Sequence, residues 1–125
     1  CEVIAHAYAA YGNDVVHKLD GMFAFTVIAQ ESETGDVKSV LAARDPVGIK
    51  PLYHGKNADS EADVFASELK SLVGLVDPAT VVAIPSGHSW TPKDGLQRYY
   101  KPDWLQKVCS RGRSEMGYIW HAFVA

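Results

Sequence analysis

The residue that could do the most chemistry is Cys1, because a cysteine at the start of a chain has a thiol nucleophile and an α-amine that can act as its base. That chemistry needs the cysteine on a strand end beside an oxyanion hole. Here Cys1 runs directly into Glu2–Tyr11, where Val3, Ile4, Ala7, Tyr8 and Tyr11 recur at helical spacing, so we read it as a half-buried residue at a helix start. The second cysteine, Cys109, forms no C-x-x-C motif with it, and both are expected to be free thiols. The histidines, His6, His17, His54, His88 and His121, are dispersed, with no two at the i, i+4 spacing of ligands on one helix face, so no metal is expected.

Arg44-Asp45 is the next pair of interest. Arginine binds carboxylates bidentately, so the two residues allow a substrate clamp, an ion pair, or a structural pin for the loop that follows. The structural reading is favoured. Gly-His-Ser at 87–89 lacks the flanking glycines of a hydrolase nucleophile elbow, and no phosphate-cradling glycine loop occurs. Tyr99, Tyr100 and Trp104, with Pro102 between, read as a packed edge or an interdomain contact.

The elements that position these residues follow from periodicity and turn chemistry. After the first helix, Asp14–Leu19 predicts a short second one presenting Val15, Val16 and Leu19. Residues 22–29, MFAFTVIA, are apolar on both alternating faces and predict a central strand covered on both sides, with residues 37–43 returning antiparallel across a polar loop. Gly48 and Pro51 punctuate a rigid loop whose Val47, Ile49, Leu52 and Tyr53 call for burial. Val64-Phe65-Ala66 predicts a strand feeding a helix capped at Ser67, with Leu69, Leu72 and Val73 inward. Two last strands are expected near His88–Thr91 and Leu96–Tyr100. A sheet apolar on both faces implies an α+β fold, a layered α-β-β-α sandwich.

Composition narrows the function classes. The 125 residues are 47% apolar and 22% charged, which suits one globular domain rather than a disordered chain. A net charge of −3 lacks the basic excess that binds nucleic acid, and the longest apolar stretch falls far short of the roughly 20 residues that span a bilayer.

Taken together, CEVIAHAYAAYG at 1–12, LDGMFAF at 19–25, AARDPVGIKPLYHG at 42–55, VFASELKSL at 64–72, IPSGHSW at 84–90 and YYKPDW at 99–104 resemble the glutamine amidotransferase domain of glutamine-hydrolysing asparagine synthetases. Glucosamine-phosphate synthases and phosphoribosylpyrophosphate amidotransferases share the helix start and the RDP-G stretch, but typically carry threonine where Cys1 stands.

The resemblance implies a class II, N-terminal-nucleophile α-β-β-α sandwich, present in part. Residues 1–104 match the C-terminal portion of the domain, and residues 105–125 are unassigned. Cys1 matches the position just after the family's glutamine-binding aspartate, so the resemblance places no catalytic, cofactor-binding or metal residue in this chain. It makes Arg44 and Asp45 candidate interdomain or structural residues. For the complete enzyme it implies glutamine and aspartate as substrates, a synthetase domain holding ATP and magnesium, a homodimer as one assembly, and a cytoplasmic setting. A fragment without glutaminase activity of its own is the expectation, with a non-catalytic binding or regulatory module, or a fragment of a glucosamine-phosphate synthase or phosphoribosylpyrophosphate amidotransferase, as the alternatives.

Overall fold

A computed structural model of the chain describes residues 2–102. Cys1, Trp104 and the unassigned stretch 105–125 lie outside the described residues.

Helix α1 spans Glu2–Tyr11, as its periodicity predicts. It ends at Gly12, which takes a left-handed φ of 58°, a conformation that costs glycine little. The short second helix expected over Asp14–Leu19 is a 3-10 helix that lies two residues earlier, at Gly12–His17. Adjacent β-branched valines favour α-helix weakly, and one tight turn suffices to send both Val15 and Val16 into the core. Fully burying such side chains is worth about 1.5–3 kcal/mol each.

Seven strands follow: β1 (Ala24–Gln30), β2 (Val37–Arg44), β3 (Tyr53–Lys56), β4 (Asp63–Ala66), β5 (Val82–Ala83), β6 (His88–Thr91) and β7 (Gly95–Arg98). They form two antiparallel sheets, ordered β1-β2-β6-β7 and β4-β3-β5. The β1–β2 hairpin pairs Ala24 with Arg44 through Ala29 with Ser39 in unbroken register.

The two faces of β2 bury different neighbours. Leu41 and Ala43 join Val15 and Val16, with Ala7, Tyr8, Phe23, Phe25 and Tyr99 packed around them, so α1 and the 3-10 turn cover that face of the first sheet. Ala42 faces the other way and joins Leu52 and Ile84, with Phe65 and Trp90 alongside, between the two sheets. On the far side of the second sheet, Val76 lies against Gly55. The chain is therefore α+β, with a helix layer and two stacked antiparallel sheets. Among the described residues no helix is long and apolar enough to cross a membrane.

Three expectations need correction. Among the described residues the two-sided strand of residues 22–29 is an edge, not a centre, and Ile28 is 57% exposed. The strand buried on both faces is β2, whose Leu41, Ala42 and Ala43 lose essentially all contact with solvent. The helix expected from Ser67 is a four-residue 3-10 turn, Leu69–Leu72, with Glu68 before it and no side-chain cap. Only its Leu72 is buried; Leu69 and Val73 face solvent, because Gly74 at φ 78° turns the chain away before an α-helix can develop. Finally, β7 stops at Arg98, since the backbone N–H groups of Tyr99 and Tyr100 both donate to the Gly87 carbonyl.

Candidate functional site

The sequence following β2 folds into a loop held from both sides by two consecutive residues. Arg44, the last residue of β2, donates to carbonyl oxygens: Nε to Lys50 at 2.7 Å, Nη2 to Gly48 at 2.7 Å and Nη1 to Ile84 at 2.8 Å. Asp45 accepts from backbone N–H groups. Its Oδ1 takes those of Val47, Gly48 and Ile49 at 3.0, 2.6 and 3.1 Å, and its Oδ2 takes that of Lys50 at 3.1 Å.

Asp45 is 1% exposed, yet its carboxyl stays charged. Burial alone would raise its pKa, but the four N–H donors outweigh it and hold the group below the ordinary carboxylate value of 3.8. Gly48 is shared by both side chains and sits at φ 78°; a Cβ there would lie 2.9 Å from Ser86 Cβ and 3.3 Å from Arg44 Cζ. The backbone at Asp45 is tied as well, its N–H donating to Phe23 O and its carbonyl accepting from Gly48 and Gly87. Tyr99 completes the brace by donating its hydroxyl to Arg44 O at 2.7 Å. Burial, aided by the negative charge of Asp45, pushes the Tyr99 phenol up to about 12.

This braced loop contributes Pro46, Val47 and Ile49 to the lining of a cleft of about 510 Å³, together with Leu19, Met22 and Tyr100. His17 and Asp20 contribute polar groups to its lining. Val47, Met22 and Ile49 are exposed at 77%, 63% and 53%, so the mouth is apolar and open.

Arg44 and Asp45 do not form an ion pair with one another among the described residues. A guanidinium committed to three carbonyls is not a free clamp for a substrate carboxylate, and a carboxylate with both oxygens engaged is not a free base. Their geometry is that of a brace. Ser89 lies mid-ladder in β6, opposite Ala43 and Gln97, which rules out an exposed nucleophile turn at 87–89.

A second polar cluster had no place in the sequence reading. His54, 8% exposed, lies between Phe65 and Trp90 with ring centroids 4.9 and 4.7 Å away. Its Nε2 meets Asp63 Oδ1 at 2.8 Å, and Lys56 Nζ reaches the same oxygen at 3.1 Å. The signal was available: in the β3–β4 hairpin Lys56 stands opposite Asp63, which makes His54 its diagonal neighbour. Among the described residues no three histidine, cysteine or acidic side chains converge as metal ligands.

A sandwich with this element order and loop defines a class. The family model described as a glutamine amidotransferase domain matches residues 1–100, and the chain belongs to that family. Among its relatives, the chain is 45% identical over 109 residues to glutamine-hydrolysing asparagine synthetase 3 of Arabidopsis thaliana, an alignment covering 86% of this chain and 18% of that protein. It is 44% identical over 108 residues to asparagine synthetase 2 of Oryza sativa subsp. japonica, covering 86% and 17%, and 41% identical over 109 residues to asparagine synthetase 1 of Saccharomyces cerevisiae, covering 86% and 18%. The chain thus spans less than a fifth of the length of these relatives.

Proposed function

We propose that this chain is part of the glutaminase domain of an asparagine synthetase, which in the complete enzyme hydrolyses glutamine to glutamate and supplies ammonia for the ATP-dependent conversion of aspartate to asparagine. The identity with three glutamine-hydrolysing relatives over 86% of the chain carries this reading. The role of the residues here is scaffolding: Arg44 and Asp45 fix the loop whose apolar rim faces a synthetase domain. ATP and magnesium belong to that second domain, and the setting is the cytoplasm.

By itself the 125-residue polypeptide is expected not to hydrolyse glutamine, because the resemblance carries no catalytic residue onto it and Arg44 and Asp45 are engaged in bracing the loop. Glutamate release from glutamine by the purified chain is expected to stay at the uncatalysed background. Release that disappears in Cys1→Ala would overturn this and restore Cys1 as a nucleophile. Extending the reading frame beyond both ends and assaying the complete product with glutamine, aspartate and magnesium-ATP tests the wider reading; asparagine formation is expected, and its absence would favour a non-catalytic module.

A further inference from the structure

Gly87 joins two loops that lie far apart in sequence. It is buried, at a left-handed φ of 65°, and both polar groups of its backbone are engaged. Its N–H donates to Asp45 O at 2.9 Å, and its carbonyl accepts the N–H groups of Tyr99 and Tyr100 at 3.0 and 3.1 Å, one for each lone pair. Tyr99 returns to the starting point, its hydroxyl donating to Arg44 O at 2.7 Å. These bonds close a ring through Arg44, Asp45, Gly87 and Tyr99. The bond from Arg44 Nη1 to Ile84 O, on the same segment as Gly87, runs beside the ring as a second tie.

A closed ring fixes shape, because no member can move without stretching a bond elsewhere. What it fixes here is part of the cleft lining. Val47 and Ile49 ride on the loop gripped by Asp45, and Tyr100 is held at its N–H by Gly87 and at its carbonyl by Arg98 Nε, 3.0 Å away. The approach of Gly87 to Tyr100 is close: a Cβ on Gly87 would stand 3.1 Å from Tyr100 Cβ and 3.2 Å from Tyr100 O. Glycine alone combines this backbone conformation with room for Tyr100 at that distance.

We propose that Gly87 is a positioning residue for the junction between the glutaminase and synthetase domains: it holds Tyr100 and the Asp45 loop in one fixed arrangement, so that ammonia made in the first domain is delivered to the second. This role rests on the function proposed above and adds to it the residue that sets the shape of the junction. Gly95 supplies the control. It has the same φ of 65°, but a Cβ there meets nothing within 4 Å, so Gly95→Ala carries the backbone strain without the crowding.

The test uses the complete product of the extended reading frame, with glutamine or added ammonia as the nitrogen source. With glutamine, Gly87→Ala is expected to lower the asparagine formed per glutamate released severalfold. Glutamate release is expected to continue, since the resemblance places no catalytic residue in this chain, and so is asparagine formation from added ammonia. Gly95→Ala should change none of these. An unchanged ratio in Gly87→Ala, or an equal fall in Gly95→Ala, would overturn the role of Gly87 alone. No asparagine from either nitrogen source in the unsubstituted product would overturn the proposed function, and this role with it. Hydrogen exchange of the unsubstituted chain decides the matter if Gly87→Ala does not fold: the Gly87, Tyr99 and Tyr100 amides are expected to open together, as members of one ring. A Tyr100 amide that exchanges freely beside a protected Gly87 would show that the ring holds nothing.

Discussion

Arg44 and Asp45, adjacent in sequence and opposite in charge, spend their charges on Gly48 rather than on each other: the arginine takes its carbonyl at 2.7 Å and the aspartate takes its N–H at 2.6 Å. The peptide groups on either side of one glycine are thereby held by two consecutive side chains. The loop's shape follows from that grip.

Replacing Asp45 with alanine leaves the Val47, Ile49 and Lys50 N–H groups without their acceptor, while Gly48 keeps the Asp45 carbonyl, and bonds that share one carboxylate are not individually additive, so a loss of about 3 kcal/mol is expected. Urea unfolding should show a lower midpoint with an unchanged slope. A loss below about 1 kcal/mol would mean that water serves those donors equally well.

Gly48→Ala and Gly35→Ala separate conformation from crowding. Both glycines have left-handed φ, 78° and 74°, but a Cβ at Gly35 meets nothing within 4 Å. Gly35→Ala should cost about 1 kcal/mol for the backbone alone, and Gly48→Ala about 1–3 kcal/mol more for the contact with Ser86 and Arg44. Equal costs would show that the loop yields freely.

Tyr99 gives the alkaline limb of stability. Its phenol is raised from 10.0 to about 12 in the folded chain, so the unfolded chain releases its proton first. The stabilisation is complete below pH 10 and is lost as the pH rises toward 12. Tyr99→Phe should remove this dependence and cost about 1 kcal/mol at neutral pH through the hydrogen bond to Arg44 O. Denaturant midpoints across the alkaline range check both.

The acid limb has the opposite sign. Burial tends to raise the Asp63 pKa, but the hydrogen bonds from His54 and Lys56 and their charges outweigh it and hold the carboxyl below 3.8. Its contribution is present above that value and disappears as the pH falls through the folded pKa. Asp63→Asn should flatten this part of the acid profile while Asp45 retains its own. An unchanged acid profile would remove Asp63 from the account.

Much of this architecture is legible in the chain itself. The spacing of Val3, Ile4, Ala7, Tyr8 and Tyr11 predicts α1, and the turn chemistry of residues 31–36 and 92–95 predicts both hairpins of the first sheet. The rank of β1 within the sheet is not legible, because an apolar strand reads alike whether it is central or at an edge. The work of Arg44 and Asp45 is hidden for another reason: their partners are main-chain groups, which every residue carries and no sequence advertises. The His54–Asp63 contact lies between these cases, readable only once the β3–β4 register is known.

The Asp45 turn also has a temporal meaning. Its side-chain bonds close over two to five residues, whereas the Arg44 bond to Ile84 reaches across 40. Short closures cost little chain entropy and form early, while the long one awaits the second sheet. The turn is thus a seed that shapes the chain before the sheets meet, and changes at Asp45 should slow folding where changes at Ile84 chiefly hasten unfolding.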